Sequence, residues 1–433
     1  MSTVNTRELV LDVLLAVTRD GEYSHIVLSD TLEKYQYLEK QERAFITKVA
    51  EGTLERMIQI DYIINSFSNT KVNKMKPVIR CILRSAVYQI CFLDGVPDSA
   101  ACNEAVNLAG KRGFRNLKGF VNGVLRNIAR NKENIAYPDE KKQPNEAISV
   151  RYSIPLWLVE QWEAEYGAEK TKQMAESLLK ERPLSVRVNL NRTTKQELSD
   201  KLKAEGVEVT ESKELPYALY LSDYDYLNRL QSFRDGDFYV QNISSMMVAD
   251  TAQPKKGDVV LDVCAAPGGK SIHIAQLLEG TGEVIARDLT PYKVQKINEN
   301  IGRCRVTNMR AECADARVFD EHLKNRADIV IADLPCSGLG VIGRKKDIKY
   351  KMTPEKEKDL VKLQREILAV VPEYLKSGGK LIYSTCTVHR EENEENVKWL
   401  LEQKPDLRLE TMEQIFPDES GRDGFFIARL RKM

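Results

Sequence analysis

The sequence has few of the residues that hold structural metal ions or disulfide frameworks. Its 433 residues include eight cysteines, of which no two form a Cys-x-x-Cys pair, and only four histidines, which lie far apart. Structural zinc sites are built from closely spaced ligands, and disulfide frameworks are typical of small secreted domains. We therefore expect no metal and no disulfide framework.

Long hydrophobic runs and a signal-like N-terminus are also missing. No apolar run reaches the roughly 18 residues of a membrane-spanning helix, and the N-terminus, in which Arg7 is followed directly by Glu8, lacks the charged-then-apolar pattern of a signal peptide. Hydrophobic residues make up 42% and charged residues 30% of the chain, a balance typical of globular proteins. These features predict a soluble, cytoplasmic protein without a membrane partner.

The net charge of +1 is unevenly distributed along the chain. Residues 71–132 contain twelve basic and only three acidic residues. Such a cluster is typical of proteins that bind a polyanion, and we expect four of its members to contact phosphates: Lys111, Arg112, Arg115 and Lys118. A solvated helix face is the alternative explanation of this cluster.

Helical periodicity dominates the N-terminal part of the chain. Between residues 78 and 93, apolar residues such as Ile79, Ile82 and Ala86 fall on one stripe of a helix. Helices of this kind bury their stripes against one another. We therefore predict that residues 1–135 form an all-α domain.

The remainder of the chain is predicted to contain a small α+β region and a larger α/β domain. After a charged, proline-containing linker, residues 148–235 are interpreted as linker helices followed by a ferredoxin-like region. In residues 236–433, apolar strands alternate with helical segments, which favours a parallel Rossmann-like sheet. Its predicted strands are Val259–Val263, Val284–Ala286, Arg310–Cys313, Ile329–Ala332 and Leu381–Ser384.

A glycine-rich loop follows the first predicted strand of the α/β domain and precedes a helix. Such a turn brings backbone N–H groups and a helix N-terminus close to a nucleotide-like cofactor. The loop residues expected to bind this cofactor are Cys264, Ala265, Ala266, Pro267, Gly268, Gly269 and Lys270.

Three cofactors are candidates for this loop: a dinucleotide, a nucleoside triphosphate and S-adenosylmethionine, of which the last fits best. The dinucleotide fingerprint Gly-x-Gly-x-x-Gly is missing, and a phosphate-binding Walker A loop would need glycine at Cys264. An NTPase stays an alternative because Ile329–Asp333 resembles a Walker B strand. S-adenosylmethionine has no phosphates; Asp288 and Asp315, at the ends of the next two strands, are expected to accept from its ribose hydroxyls and adenine amino group. A helix N-cap is the alternative role for Asp315.

Two cysteines follow predicted strands at the edge where such a sheet binds its ligand. They are Cys336, in Asp333-Leu-Pro-Cys336, and Cys386, in Ser384-Thr-Cys386. A thiolate that adds to carbon 6 of cytosine would make carbon 5 nucleophilic enough to take a methyl group. Asp333 is the candidate to stabilise this adduct, and a second thiol would suit its release. The alternative is that both are inert buried cysteines.

These motifs resemble those of the RNA 5-methylcytosine methyltransferases. The likeness is carried by Gln241–Ser245, Asp262–Lys270, Asp288, Asp315, Asp333–Gly338, Ser384–Cys386 and Asp423–Phe426. The resemblance implies that Cys386 is the nucleophile, that Cys336 assists release, and that S-adenosylmethionine, also contacted by Asp333, is the cofactor.

The first 130 residues resemble the RNA-binding NusB fold, through segments 103–106 and 120–125. A NusB-like domain fused to this catalytic domain is the layout of bacterial 16S rRNA cytosine-5 methyltransferases, which implies 16S ribosomal RNA as the substrate and no obligate protein partner. The chain departs from the family at Asn242, where aspartate is usual, and at Lys346, where proline is usual.

Two other functions remain open on the sequence alone. An amino-group methyltransferase is suggested because Asp333-Leu-Pro-Cys336 occupies the place of an Asp-Pro-Pro-Tyr motif, although cysteine cannot stack on a base as tyrosine does. A non-catalytic RNA-binding factor is the third reading, which the donor loop and the two thiols argue against.

Overall fold

The computed structural model describes residues 4–180, 182–418 and 420–433. Its α helices are α1 (Thr6–Thr18), α2 (Ser24–Lys34), α3 (Lys40–Glu55), α4 (Met57–Phe67), α5 (Pro77–Phe92), α6 (Asp98–Lys111), α7 (Lys118–Asn131), α8 (Pro144–Tyr152), α9 (Leu156–Tyr166), α10 (Ala168–Ser177), α11 (Lys195–Ala204), α12 (Gln231–Arg234), α13 (Ile243–Ala252), α14 (Gly269–Leu277), α15 (Pro291–Cys304), α16 (Ile348–Lys351), α17 (Pro354–Val370) and α18 (Glu394–Gln403). Its strands are β1 (Leu184–Val188), β2 (Glu208–Glu211), β3 (Ala218–Ser222), β4 (Phe238–Val240), β5 (Val259–Asp262), β6 (Glu283–Asp288), β7 (Met309–Cys313), β8 (Ala327–Asp333), β9 (Leu375–Thr385), β10 (Leu407–Ile415) and β11 (Phe425–Lys432).

The chain divides into two compact units. The first contains the residues up to Leu179 together with Ile342–Lys351, and the second contains Lys180–Val341 and Met352–Met433. Throughout the described ranges, no helix has both the length and the apolar character that a membrane crossing requires.

The first unit is helical, as the sequence predicted. Helix α5 begins with Pro77 at its first turn, where the missing N–H costs nothing, and its predicted stripe is buried. Helix α7 likewise buries Val121, Val124, Leu125 and Ile128. These stripes pack with α1 and α3 into one apolar core, so burial of one face accounts for the fold of this unit.

Residues 342–351 pack within the first unit although the chain reaches them from the second. The Asp347 carboxylate accepts from the Ser24 N–H at 3.1 Å and from its hydroxyl at 2.6 Å. The Lys349 ammonium donates to the Glu55 carbonyl at 2.8 Å, and burial lowers the pKa of Lys349 to about 7. Lys346, at the position where proline is usual in the family, forms an ion pair with the Glu55 side chain.

The smaller sheet of the second unit is antiparallel, with strand order β2-β3-β1-β4. Its helix α11 begins with a capping box, in which Thr194 and Glu197 satisfy each other's backbone N–H groups. Strand β4, which periodicity did not reveal, pairs with β1. This short strand leads directly into the residues that line the cleft described below.

The larger sheet has the order β10-β11-β9-β8-β5-β6-β7. All five predicted strands are present as β5 to β9, and they pair in parallel. Two further strands, which the sequence did not predict, extend the sheet at one edge in the antiparallel sense: β11 pairs with β9, and β10 pairs with β11. In the edge strand β10 only Leu407 and Ile415 are buried, so it lacks the continuous apolar run that predicted the buried strands.

Candidate active site

The glycine-rich loop joins β5 to α14 and packs against an aromatic ring. Gly268 has a φ of +101°, in the left-handed region that favours glycine. A Cβ on Gly269 would lie 2.9 Å from Cε1 of Tyr239, whose hydroxyl donates to the Pro267 carbonyl at 3.1 Å. The absence of a side chain at Gly269 therefore lets Tyr239 and the loop approach closely.

A cleft of about 200 Å³ opens beside this loop. It is lined by Tyr239, Val240, Gln241, Asn242, Ser245, Asp262, Cys264, Ala265, Ala266, Pro267, Gly269, Lys270 and Asp333. Every predicted loop residue except Gly268 thus faces the cleft, as does Asp333. Gln241, Asn242 and Ser245 belong to the motif Gln241–Ser245, whereas Tyr239 and Val240 were not predicted, because the three-residue strand β4 has no periodic signal.

The predicted adenosine-binding acids do not line this cleft. Asp288 is buried; its two carboxylate oxygens accept from the Ala266 and Leu289 N–H groups at 3.0 and 2.8 Å, so it ties the loop to β6. Asp315 accepts from the guanidinium and the N–H of Arg317, and these hydrogen bonds lower the pKa of Asp315. Contact of either acid with the cofactor stays a prediction.

Asp262 lines the cleft, and its carboxyl group is buried. Its carboxylate accepts from the Ser271 hydroxyl at 2.5 Å and from the Cys264 N–H at 3.3 Å. Burial raises the pKa of Asp262 to about 7, against the opposing effect of the Ser271 hydrogen bond.

The two predicted cysteines meet at the carboxyl ends of neighbouring parallel strands. Register pairs Asp333 at the end of β8 with Ser384 on β9, and the Sγ atoms of Cys336 and Cys386 lie 3.3 Å apart. Hydrogen bonding to Cys386, together with burial, raises the pKa of the Cys336 thiol well above its ordinary value. The two sulfurs are thus within hydrogen-bond distance of each other, and either thiol can be the donor.

An ion pair lies beside the thiols. The Lys270 ammonium contacts one Asp333 oxygen at 2.6 Å, and the Ser384 hydroxyl donates to the other at 2.7 Å. Burial alone would lower the pKa of Lys270, but Asp333 outweighs it, so the pKa is raised and the ammonium stays charged. Cys386 interacts electrostatically with the same ammonium, which would stabilise a thiolate at this position.

Asn242, at the position where aspartate is usual in the family, forms a hydrogen bond that an aspartate could not donate. The Asn242 amide donates to the Asp423 carboxylate, which also pairs with the Arg182 guanidinium at 2.8 Å. An aspartate in the same place would set two carboxylates against each other, so the amide suits this particular arrangement.

Two of the four predicted RNA-binding residues are engaged in ion pairs on the helical unit. Lys111 pairs with Glu8, and Arg112 lies 2.6 Å from an Asp12 oxygen. Within the part of the chain that the structure describes, neither Arg115 nor Lys118 forms an ion pair, so these two remain the freer cations of the set.

One histidine and two glutamates come together although their spacing gave no metal signature. His389 Nδ1 lies 3.3 Å from Glu392 Oε1, and His389 Nε2 lies 4.0 Å from Glu357 Oε2. These are atoms of types that ligate metals. Hydrogen bonding explains their arrangement equally well, since the second Glu392 oxygen already accepts two N–H donors.

Three family models match the chain in succession. The NusB family matches residues 4–130, the RsmF/B-like ferredoxin-like domain matches residues 154–225, and the model described as 16S rRNA methyltransferase RsmB/F matches residues 249–431. The expectation of a NusB-like helical region, a ferredoxin-like region and a Rossmann-like methyltransferase region is confirmed by these matches.

Full-length relatives show the same similarity. The Bacillus subtilis protein named probable ribosomal RNA small subunit methyltransferase B is 36% identical over 450 residues and matches along 100% of both chains. A Proteus mirabilis protein, ribosomal RNA small subunit methyltransferase B, is 28% identical over 100% of this chain and 99% of its own.

Solved structures are similar as well. PH0851 superposes with a TM-score of 0.83 at 25% identity and covers 99% of each chain. NSun6 from Pyrococcus horikoshii, solved with SFG, has a TM-score of 0.58 at 27% identity and covers 64% of this chain and 98% of its own.

The residues of the cleft fit the methyl donor of such enzymes. S-adenosylmethionine carries a cationic sulfonium and an amino-acid tail with charges of both signs, and the cleft presents Asp262, Asp333 and Lys270 beside exposed loop backbone. The chain therefore belongs to the 16S rRNA methyltransferase RsmB/F family, and S-adenosylmethionine is its methyl donor.

Proposed function

We propose that this protein methylates carbon 5 of a cytosine in 16S ribosomal RNA through a covalent adduct with Cys386. The single observation that carries the proposal is the contact of two thiols, 3.3 Å apart, next to the Lys270–Asp333 ion pair at the mouth of the donor cleft. The relatives named ribosomal RNA small subunit methyltransferase B support the choice of substrate.

The first step is attack by Cys386 on carbon 6 of the ring. The sulfur–carbon bond forms while the electron pair of the carbon 5–carbon 6 double bond moves toward carbon 5. Lys270 favours the Cys386 thiolate that this step needs. Attack places negative charge on the ring, and a proton taken up by ring nitrogen 3 neutralises it. Asp333, held by Lys270 and Ser384, is the carboxyl group that we assign to deliver and hold that proton, which stabilises the adduct.

The remaining steps install the methyl group and free the enzyme. S-adenosylmethionine supplies the methyl group that carbon 5 takes up. Release is a proton relay through Cys336, which is the role that we assign to it: its thiol proton passes to the departing Cys386 sulfur, and its sulfur takes up the proton that carbon 5 loses. The electron pair of that carbon–hydrogen bond re-forms the carbon 5–carbon 6 double bond as the bond between Cys386 and carbon 6 breaks.

The helical and middle regions would place the RNA. We assign RNA binding to a NusB-like domain over residues 1–135, with 148–235 joining it to a catalytic domain over 236–433. Arg115 and Lys118 are the phosphate contacts that we favour, because the ion pairs of Lys111 and Arg112 compete with phosphate. The target cytosine must be unpaired or flipped, since the thiol attacks the face of the ring.

Product analysis tests the proposal. 16S rRNA from a strain that lacks this protein is incubated with the enzyme and S-adenosylmethionine and digested to nucleosides. We expect 5-methylcytidine with the wild type and none with Cys386→Ala. An N-methylated nucleoside would instead support the amino-group reading, and failure to bind S-adenosylmethionine in calorimetry would support a non-catalytic RNA-binding factor.

A further inference from the structure

A buried polar cluster beneath the two thiols has no role in the steps above. Its members include Ser337, Gln364, Thr387 and Glu392, all fully buried, on the two cysteine loops, on α17 and on the turn before α18. Buried polar groups of this kind hold structure only where their hydrogen bonds are satisfied. The partners of this cluster therefore show which parts of the chain it connects.

Glu392 and Gln364 form hydrogen bonds to the backbone on both sides of Cys336. One Glu392 oxygen accepts from the Ser337 N–H at 2.9 Å and from the Gln364 amide at 2.8 Å. The same Gln364 amide donates to the Pro335 carbonyl at 2.8 Å. The backbone before and after Cys336 is thus fixed by one carboxylate and one amide.

The cluster also links this loop to Cys386. The Ser337 hydroxyl lies 2.7 Å from the Thr387 hydroxyl, and Thr387 follows Cys386 directly. The Gly340 N–H donates to the Cys386 carbonyl at 3.1 Å, which adds a backbone contact between the same two loops. The distance between the two sulfurs therefore depends on contacts made by the neighbours of the cysteines.

We propose that Glu392 and Gln364 are positioning residues, which, with the Ser337–Thr387 contact, clamp the Cys336 loop against the Cys386 loop. This inference rests on the proposed function, because it assigns the clamp to the reaction of the two thiols. The Glu392 charge acts in the same direction: after hydrogen bonding to Cys386 and burial, it is a further cause of the raised pKa of Cys336. Other charged or titratable neighbours are Glu357, His389, Tyr383 and Asp333.

Substitution of Glu392 by glutamine tests the clamp. Glutamine keeps one acceptor oxygen but places an N–H₂ group either against the Ser337 N–H and the Gln364 amide or against His389 Nδ1. In both cases the cluster loses the Glu392 charge and the stronger hydrogen bonds that a carboxylate accepts. We expect kcat to fall about tenfold or more, with KM for RNA and S-adenosylmethionine unchanged. The rate of covalent trapping by RNA that contains 5-fluorocytosine should fall by a similar factor.

Matched variants separate positioning from folding. Glu391→Gln removes the same charge from the adjacent, exposed residue and should leave kcat and trapping at wild-type values. If Glu392→Gln does not fold, Thr387→Val and Thr387→Ser decide the question, because valine removes the hydroxyl contact and serine keeps it. Valine should slow trapping and serine should not.

Two outcomes distinguish the inference from the function on which it rests. Wild-type kcat and trapping in both Glu392→Gln and Thr387→Val would overturn the clamp and leave the methyltransferase reaction intact. Absence of trapping and of 5-methylcytidine with the wild type would overturn the proposed function itself.

Discussion

At the scale of single residues, the raised pKa of Asp262 predicts how the stability of the protein depends on pH. An unfolded aspartate has a pKa of about 3.9, whereas burial raises that of Asp262 to about 7, so the folded protein binds a proton that the unfolded chain releases. On account of this residue, the free energy of unfolding should fall between about pH 4 and 7, on the order of 1.4 kcal/mol per pH unit, and level off above. Denaturant titrations from pH 5 to 8 measure this.

Asp262→Asn should remove that part of the pH dependence. Asp200→Asn, at an exposed position, should follow the wild-type curve. If the curves for wild type and Asp262→Asn run parallel across this range, Asp262 is ionised in the fold and the prediction is wrong.

The second prediction at this scale concerns the effect of the Lys270–Asp333 ion pair on catalysis. Lys270→Met leaves a partly buried carboxylate without its cation, and Asp333→Asn leaves the ammonium without its anion, so each should lower kcat/KM by about a hundredfold or more. Because the two act as one unit, the double variant should be little worse than either single one. Steady-state kinetics of the three variants measure the coupling.

Lys296→Met, in the exposed pair with Glu299, serves as the control and should have wild-type kinetics. Independent, multiplicative losses in Lys270→Met and Asp333→Asn would show that the two residues do not function together.

At the scale of elements, the turn from β5 to α14 depends on space at Gly269. Alanine there would place its Cβ 2.9 Å from the Tyr239 ring, and the ring or the loop must move to accommodate it. We expect Gly269→Ala to weaken S-adenosylmethionine binding about tenfold or more in calorimetry. Gly302→Ala, on α15 where nothing lies within 4 Å, should bind normally; equal affinity for both variants would contradict this account of the loop.

The elements that the sequence predicted best are those whose apolar residues follow a clear pattern of burial. The stripes of α5 and α7 and the apolar runs of β5, β6, β8 and the second half of β9 follow from burial alone. Strands β10 and β11 were not predicted because β11 is placed by pairing with β9 and β10 by pairing with β11, and such long-range contacts leave no local periodicity. The strand-end position of the cysteines was predictable, but their separation and the clamp beneath them depend on register and on residues of α17.

At the scale of the whole molecule, RNA affinity should depend on salt through the helical unit. Each phosphate contact contributes roughly 0.7 to 0.9 to the slope of log K against log salt concentration. Arg115→Gln with Lys118→Gln should therefore reduce the slope by about 1.5, measured by filter binding of 16S rRNA. Lys111→Gln with Arg112→Gln should reduce it less, because Glu8 and Asp12 already pair with these cations; the reverse order would assign the phosphate contacts to Lys111 and Arg112.

The charge distribution predicted a polyanionic partner and four candidate phosphate contacts, but it could not show which of the four already have ion-pair partners. Clustered basic residues are visible in the sequence, whereas the acids that neutralise some of them lie about a hundred residues away, on α1. The packing of residues 342–351 within the helical unit was likewise beyond sequence reasoning, because Lys349 and Tyr350 are fixed by backbone carbonyls at the end of α3.

The most direct measurement is identification of the cysteine that bonds to the ring. Wild-type enzyme is trapped on 16S rRNA that contains 5-fluorocytosine, and the nucleotide-bearing peptide is sequenced by mass spectrometry. We expect the modification on Cys386, its loss in Cys386→Ala and its persistence in Cys336→Ala. A nucleotide attached to Cys336, or undiminished trapping in Cys386→Ala, would contradict the central claim.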